Sequence, residues 1–338
     1  MGLRNLWQRA FGGEPSPLDV PGVDDAIERV VQIANPKLKL VSRYRARLAP
    51  PVAASLKYIK ALVAAIPPSR EASAAGWAGD PCMTAFFASA SDIARAFSRS
   101  REVRAYFDAH PGATETFALL GMEMTERRVL GMDLQGDVVR SDVPQTTLSF
   151  GDHRMRLCAG SEAELRAELE RRLVEQLAME GIKRAGGDQA LREDLGRDRA
   201  LLQARLKLLQ RRGGGIQGAL GGEAAGEGER AKIAAELERN AEALASLGGT
   251  ALEREFNRIC DILSQPEEAL HVATRKVRLD RMNVIQKEAS TAGAELAFEV
   301  ARAEGPPPRS RAFTLVKFLR ADLLPPGQGV ADAERLLG

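Results

Sequence analysis

Apolar residues recur at helical spacing through most of the first hundred positions. The clearest stripe lies between two proline pairs and consists of Val52, Leu56, Ile59, Val63 and Ile66. It predicts one helix, and similar spacing predicts others over residues 24–34, 37–48 and 92–107. Residues 18–112 are therefore expected to form an N-terminal helical domain.

Beyond Pro111 the pattern changes to the two-residue period of a strand. Apolar and polar residues alternate on both sides of Gly151-Asp152, which predicts a β-hairpin with its turn at that dipeptide. Two shorter strands are expected at 117–124 and 128–134, with turns near Glu126 and at residues 135–137.

Alternation returns near the C-terminus in three further segments, residues 276–279, 296–300 and 313–318, with a loop at 305–308. Three strands make a poor free-standing unit. We therefore expect them to join the earlier strands in one small, discontinuous antiparallel β body formed by residues 113–160 and 271–322.

The segment between these two groups of strands, residues 161–270, has the pattern of a long charged helical hairpin. Ser161 and Glu164 have capping-box spacing, so a helix is expected to begin there. Its first arm carries Leu165, Leu169, Leu173 and Leu177, and its second arm, after an interruption at Gly186-Gly187, carries Leu191, Leu195, Leu202, Leu206 and Leu209. After a glycine-rich tip at 213–228, the stripe resumes over 233–263. An inserted antiparallel hairpin of coiled-coil type is predicted.

The predicted fold class is thus α+β and mostly helical. An N-terminal helical domain is followed by a discontinuous β body, into which the long helical hairpin is inserted. An amphipathic arm with its linker, residues 1–17, precedes these parts, and a tail, residues 323–338, follows them.

Composition narrows the class of protein. The chain has 338 residues, of which 44% are hydrophobic, and its 48 basic and 46 acidic residues leave a net charge of +2. No overall field therefore draws it to nucleic acid or acidic lipid. Three widely spaced cysteines are typical of reduced thiols, and neither a signal peptide nor a membrane-spanning run is visible. We expect a cytoplasmic protein, peripheral to a membrane if it meets one.

Familiar catalytic patterns are missing from the sequence. The three histidines, His110, His153 and His271, lack zinc-helix spacing, and no cysteine pair has the spacing of metal ligands. Residues 226–231 formally match a dinucleotide glycine fingerprint, but no strand precedes them and acids occupy the variable positions, so they are interpreted as linker. We expect no enzyme activity, no cofactor and no metal.

The sharpest charge asymmetry is an acid-free interval between Glu28 and Glu71. Its candidate residues for an anionic partner are Lys37, Lys39, Arg43, Arg45, Arg47, Lys57 and Lys60. They could neutralise nucleic-acid phosphates or anionic lipid. The alternative is a helix face that is solvated or paired with the acidic arms of the hairpin, and this alternative is preferred over a binding role.

The N-terminal arm is a second candidate surface. Leu3, Leu6, Trp7 and Phe11 recur at helical spacing before a Gly/Pro linker. They could enter a lipid interface, dock on a partner or fold back on the protein's own core.

The sequence therefore leads to two functional hypotheses. The first is a non-enzymatic interaction or scaffold protein, which self-associates or grips a protein partner through its charged helical hairpin and amphipathic arm. The second is a binder of nucleic acid or an anionic membrane surface that uses the basic interval.

Overall fold

The computed structural model of the chain describes residues 21–135, 138–213, 223–286, 293–303 and 309–325. Over these residues it is an α+β protein, and it is mostly helical, as expected, with 59% of its residues in helices. The described residues fall into two compact units. The first comprises the described residues up to Ser55 together with those of Val174–Pro266, and the second comprises Leu56–Leu173 and the described residues from Glu267 to 325. The predicted domain boundaries stay predictions.

The elements before the sheet are mainly helices. In chain order they are α1 (Val23–Ala34), a 3-10 helix (Pro36–Leu40), α2 (Tyr44–Ala65), strand β1 (Arg70–Glu71), α3 (Ala74–Gly79), α4 (Pro81–Phe86), α5 (Ala90–Arg99) and α6 (Arg101–Ala109). The helix expected at 24–34 is thus confirmed almost to the residue.

The helix predicted at 37–48 is wrong, because a 3-10 turn ends at Leu40 and α2 begins only at Tyr44. Arg43 has a φ of 52°, which an α-helix cannot accommodate. The helix predicted between the two proline pairs is confirmed, but it begins before the first pair, since Pro50 and Pro51 both lie inside α2. Proline φ is compatible with a helix, and burial of neighbouring apolar side chains such as Val52 offsets the lost hydrogen bonds.

The helix expected over 92–107 is two helices. Ser100 separates α5 from α6, and its hydroxyl accepts a hydrogen bond from the Val103 amide at 3.4 Å. A serine cap stabilises a new helix start, so the chain changes direction where the apolar spacing alone indicated continuity.

A seven-stranded open sheet forms the centre of the second unit. The remaining strands are β2 (Glu115–Gln135), β3 (Val138–Ala159), β4 (His271–Leu279), β5 (Ile285–Gln286), β6 (Ala294–Ala303) and β7 (Arg309–Leu319). The order is β3-β2-β7-β6-β4-β5, and all these pairs are antiparallel, whereas β1 pairs with β7 in parallel. Strands from before and after the long helices therefore share one sheet.

Two predicted turns are wrong, because β2 and β3 are single long strands. Neither Glu126 nor Gly151-Asp152 interrupts them. Gly121 pairs with Arg154 but Glu123 pairs with Gly151, so β3 carries one extra residue there, and Asp152 has a φ of 45°. The dipeptide that resembles a turn is a β-bulge.

The core of the second unit lies between the sheet and helices α3–α6. Its largest fully buried side chains are Phe86, Phe87, Phe97, Phe107, Phe298 and Phe318. Phe97 stacks on Phe318 with ring centroids 4.5 Å apart. We call this sheet with α3–α6 the body.

Three helices follow β3: α7 (Glu162–Gly213), α8 (Glu223–Ser246) and α9 (Ala251–Ser264). The predicted start of α7 is confirmed, since the Ser161 hydroxyl accepts from the Glu164 amide at 3.2 Å. The predicted break at Gly186-Gly187 is wrong, because α7 continues through it. The predicted tip at 213–228 is helical from Glu223, and residues 214–222 lie outside the described part.

Other predicted segments also lie outside the described residues. They are the arm and linker at 1–17, the loop at 305–308 and most of the tail at 323–338. One described helix, α2, is long and apolar enough to cross a membrane by length and composition, with a mean hydropathy of 1.2. It carries Lys57 and Lys60 and buries Val52, Ile59 and Val63, so it is not a clear membrane span.

Candidate interaction surfaces

The first candidate surface is the helical arm, which we define as residues 188–213 of α7 together with α8. Arg192 donates to the carbonyl oxygen of Leu247 at 3.2 Å, and Arg230 donates to that of Leu209 at 2.9 Å. Residue numbers rise along one helix as they fall along the other. The two helices therefore run past each other in opposite directions.

Positions of the arm part of α7 at alternating intervals of four and three residues share one helix face, on which Leu195 and Leu209 accept hydrogen bonds from Asn240 and Arg230 of α8. We call the α7 positions, 188, 192, 195, 199, 202, 206 and 209, the inner seam. The leucines Leu195, Leu202, Leu206 and Leu209 are only partly buried there. Ile233 of α8 is buried, but two helices alone leave most of the seam within reach of water.

Asn240 is a buried polar residue within this apolar contact. Its side-chain amide donates to the carbonyl oxygen of Leu195 at 2.9 Å, while its Oδ1 has no hydrogen-bond partner among the described residues. A buried polar group at such a position favours one register, because sliding the helices would leave both amide groups unpaired.

Three leucines in the arm part of α7 lie outside the inner seam. Leu191 is 50% exposed, Leu208 is 59% exposed and Leu201 is 70% exposed. In the described part of α8 no large apolar side chain is exposed to this degree. The prediction that Leu191 belongs to the buried stripe is therefore wrong, since its position is one residue out of phase with it.

The second candidate surface is the basic interval, and much of its charge is paired within the first unit. Lys39 donates to Glu28 at 2.8 Å, and Arg45 pairs with both Glu28 and Asp24. The hydrogen bond from Lys39 lowers the pKa of the Glu28 carboxyl. The acids that pair with Lys39 and Arg45 thus belong to α1 and not to the hairpin.

Arg47 is paired with acidic helix α9, which is distant in sequence. Its guanidinium lies 2.7 Å from the Glu253 carboxylate, donates to Asn257 at 2.8 Å and stacks over the Phe256 ring at 4.4 Å. This side chain packs and pairs inside the first unit. It is not available to a phosphate without losing these contacts.

The other four candidate cations make no ion pair with the described residues: Lys37, Arg43, Lys57 and Lys60. Lys37 and Arg43 belong to the first unit, whereas Lys57 and Lys60 belong to the second. Leu40 lies between the first two and is 78% exposed, although its neighbours Leu38 and Val41 are buried. The structure therefore leaves a small cationic loop with one outward leucine.

The N-terminal residues Leu3, Leu6, Trp7 and Phe11 lie outside the described part of the chain. Their docking role stays a prediction.

Cys158, Cys260 and His153 are titratable side chains whose pKa is shifted by burial. Burial raises the pKa of Cys158 and of Cys260 to about 11, so both remain thiols at neutral pH. His153 donates from Nε2 to the Phe86 carbonyl oxygen at 2.8 Å and stacks on Phe87 with centroids 4.3 Å apart. Burial lowers the pKa of His153. The ring is thus half-buried and held in place by its neighbours.

Two open cavities occur in the second unit. One, of about 470 Å³, lies beside Leu279 and Asp280. The Asp280 carboxylate is already bonded by the amides of Met282 and Val284 at 2.8 and 2.9 Å. It acts as the acceptor of a tight turn.

The other cavity, of about 430 Å³, lies between Tyr58 and Arg302. Burial and the nearby Glu267 carboxylate raise the pKa of the Tyr58 hydroxyl. In the described ranges no group of three or more His, Cys, Asp or Glu side chains is placed to hold a metal ion.

No family model, no curated protein and no solved structure matches this chain. Function must therefore be argued from its own surfaces.

Sequence reasoning missed the separate placement of Leu191, Leu201 and Leu208. These three leucines are spaced by ten and seven residues, so they fit one heptad repeat. Each of its positions comes one residue before a position of the inner seam. Fitting two heptads to one helix, instead of one, would have separated them.

Proposed function

We propose that the chain is a non-enzymatic interaction or scaffold protein that acts through its helical arm, either by self-association or by gripping a protein partner. The coiled-coil character predicted for the hairpin belongs to this proposal. The observation that carries it is the exposure of Leu191, Leu201 and Leu208 on α7, beside an inner seam that is itself only partly buried. Apolar side chains aligned on one helix face favour contact with another helix.

Two further observations support a role in binding. Burial raises the pKa of Cys158 and Cys260, and the ring of His153 is held by stacking and a hydrogen bond, so these three side chains are poorly placed to act as nucleophiles or bases. The arm is also rich in ionised side chains of both signs, which suits a specific, orientation-dependent contact better than general adhesion.

A photo-crosslinking residue in place of Leu208, introduced into the full chain in cells, tests this proposal. We expect a covalent adduct with a second copy or with another protein. The matched control is the same residue in place of Asp108, which is exposed on α6 of the body and should give no adduct. Equal labelling from both positions, or none from Leu208, would overturn the proposal.

Binding to an anionic surface remains a second candidate because of Leu40. An outward leucine between the unpaired Lys37 and Arg43 suits an anionic membrane, where the leucine enters the interface, better than nucleic acid. The predicted N-terminal amphipathic arm and a cytoplasmic, membrane-peripheral location belong to this candidate. The wild-type chain should then float with phosphatidylserine vesicles, and this binding should be lost in Lys37→Glu and in high salt. Equal binding to vesicles that contain only phosphatidylcholine would contradict this candidate.

A further inference from the structure

The exposed leucines of α7 belong to a complete second heptad. Its positions, which we call the outer seam, are Gly187, Leu191, Asp194, Asp198, Leu201, Arg205 and Leu208. All seven residues are exposed. Each lies one residue before an inner-seam position, and one residue on an α-helix corresponds to a rotation of about 100°. The outer seam therefore faces sideways from α8, as the second contact face of a helix in a four-helix bundle does.

The outer seam is complementary to itself when two copies run antiparallel. If Leu191 lies opposite Leu208 of a second copy, the same register places Asp194 opposite Arg205. A two-fold axis repeats both contacts, as in any isologous interface. Leu201 then lies close to the axis, opposite Asp198 of the second copy, and that Asp198 is within one helical turn of an arginine.

Charge along the arm part of α7 favours the same orientation. Residues 188–198 contain four acids and two arginines, whereas residues 199–212 contain five basic residues and no acid. Antiparallel pairing brings the acidic half of each helix against the basic half of the other, and parallel pairing would bring like halves together. Charge complementarity thus selects a second copy in one direction.

Existing ion pairs do not compete strongly with this contact. Asp194 pairs with Arg197, and Arg205 lies 2.6 Å from Glu229. All four side chains are well exposed, and ion pairs between exposed side chains contribute little to stability because water screens them. Both residues can therefore be shared with a partner at little cost.

We propose that two copies of this chain pair antiparallel through the outer seam of α7, so that their two helical arms form a four-helix bundle. This inference rests on the proposed function and names its partner as a second copy of the chain. The bundle would shelter the inner-seam leucines that two helices leave partly exposed.

The first test is the mass of the full chain by sedimentation equilibrium. We expect twice the 36.5 kDa of one chain. The mass should fall to that of one chain in Leu201→Asp, because each new carboxylate would replace an apolar side chain near the two-fold axis and face Asp198 of the other copy. Ala200→Asp adds the same charge at the neighbouring exposed position on another face, and this control should stay dimeric. If Leu201→Asp and Ala200→Asp have the same mass, pairing through the outer seam is wrong.

The second test is a charge exchange within the register. Asp194→Arg and Arg205→Asp should each weaken the dimer, since each places two like charges opposite each other twice. The double variant restores opposite charges and should recover dimerisation relative to either single change, with circular dichroism confirming equal helicity. A double variant weaker than both single ones would overturn the register.

These outcomes separate this inference from the proposed function. A dimer that neither Leu201→Asp nor the charge exchange weakens would overturn the outer seam while leaving self-association in place. A monomeric full chain whose Leu208 adducts contain only another protein would overturn pairing between copies, and the scaffold role would stand.

Discussion

The body and the helical arm bury their apolar side chains in different ways. In the body, aromatic rings from helices and strands meet at fixed distances, such as the 5.3 Å between the centroids of Phe150 and Phe298, and many core residues are fully buried. In the arm, the leucines of the inner seam are only partly covered, and Leu201 is 70% exposed. The body can complete its own core, whereas the arm presents surface that another helix could cover.

Of the substitutions that test this difference, Phe298→Ala in the body should cause the largest loss of stability. Phe298 is fully buried and contacts Phe86 and Phe150 edge to face. Removing the ring leaves a cavity in a close-packed core, so we expect a loss of about 3–5 kcal/mol in the free energy of unfolding. Urea unfolding followed by circular dichroism measures it.

The control for this change is Leu201→Ala in the arm, an apolar truncation at an exposed position. It should alter the unfolding free energy of the isolated chain by less than about 0.5 kcal/mol. Equal losses in the two variants would contradict the contrast between a completed core and an open one.

Glycine substitutions on α7 sharpen the comparison between the base of the helix and its arm. A Cβ at Gly181 would lie 2.8 Å from the Ile259 Cα, so α7 and α9 approach most closely where no side chain intervenes. Gly181→Ala must push the helices apart, and we expect a loss of about 1–3 kcal/mol.

Gly186→Ala is the matched variant, five residues further along the same helix. A Cβ there meets no atom within 4 Å, and alanine favours a helix interior over glycine by about 0.5–1 kcal/mol. Thermal unfolding should therefore shift downward for Gly181→Ala and upward for Gly186→Ala. Shifts of the same sign would contradict the close approach at Gly181.

How far the sequence predicted these regions depends on whether the deciding contact is local. The capping box at Ser161 and the inner-seam leucines follow from spacing within one or two turns, and both were predictable. The β-bulge at Gly151-Asp152 has the residues of a hairpin turn, and only the partner strand shows that β3 continues. Local chemistry cannot distinguish the two.

The candidate surfaces show the same limit. Lys39 and Arg47 are equivalent by composition, yet Arg47 pairs with Glu253, which is 206 residues away. No window of sequence identifies that partner, so an acid-free interval overstates the charge that remains available. The exposure of Leu40 could not be predicted either. Lysine and leucine alternate over residues 37–40, and this alternation does not show that Leu38 is buried while Leu40 is exposed.

A fall in pH below neutrality should lower the stability of the body but not that of the arm. Of the effects on stability predicted here, we expect this one to be the smallest. The body contains His153, whereas residues 188–247 contain no histidine and therefore no side chain that ordinarily titrates near neutrality. Burial lowers the pKa of His153, although the nearby Asp152 and Asp92 carboxylates act in the opposite direction. In the packed state its Nε2–H donates to the Phe86 carbonyl oxygen, which also acts to raise the pKa.

The sign of the effect follows from proton uptake. As the pH falls through about 6.5, the unfolded chain takes up a proton at His153 before the folded chain does, so the free energy of unfolding decreases. His153→Gln keeps an N–H donor for Phe86 but does not titrate. Its unfolding midpoint in urea should therefore fall less than that of the wild type between about pH 7.5 and 5.5. Parallel pH profiles would mean that His153 is equally accessible to protons in both states, which its stacking on Phe87 argues against.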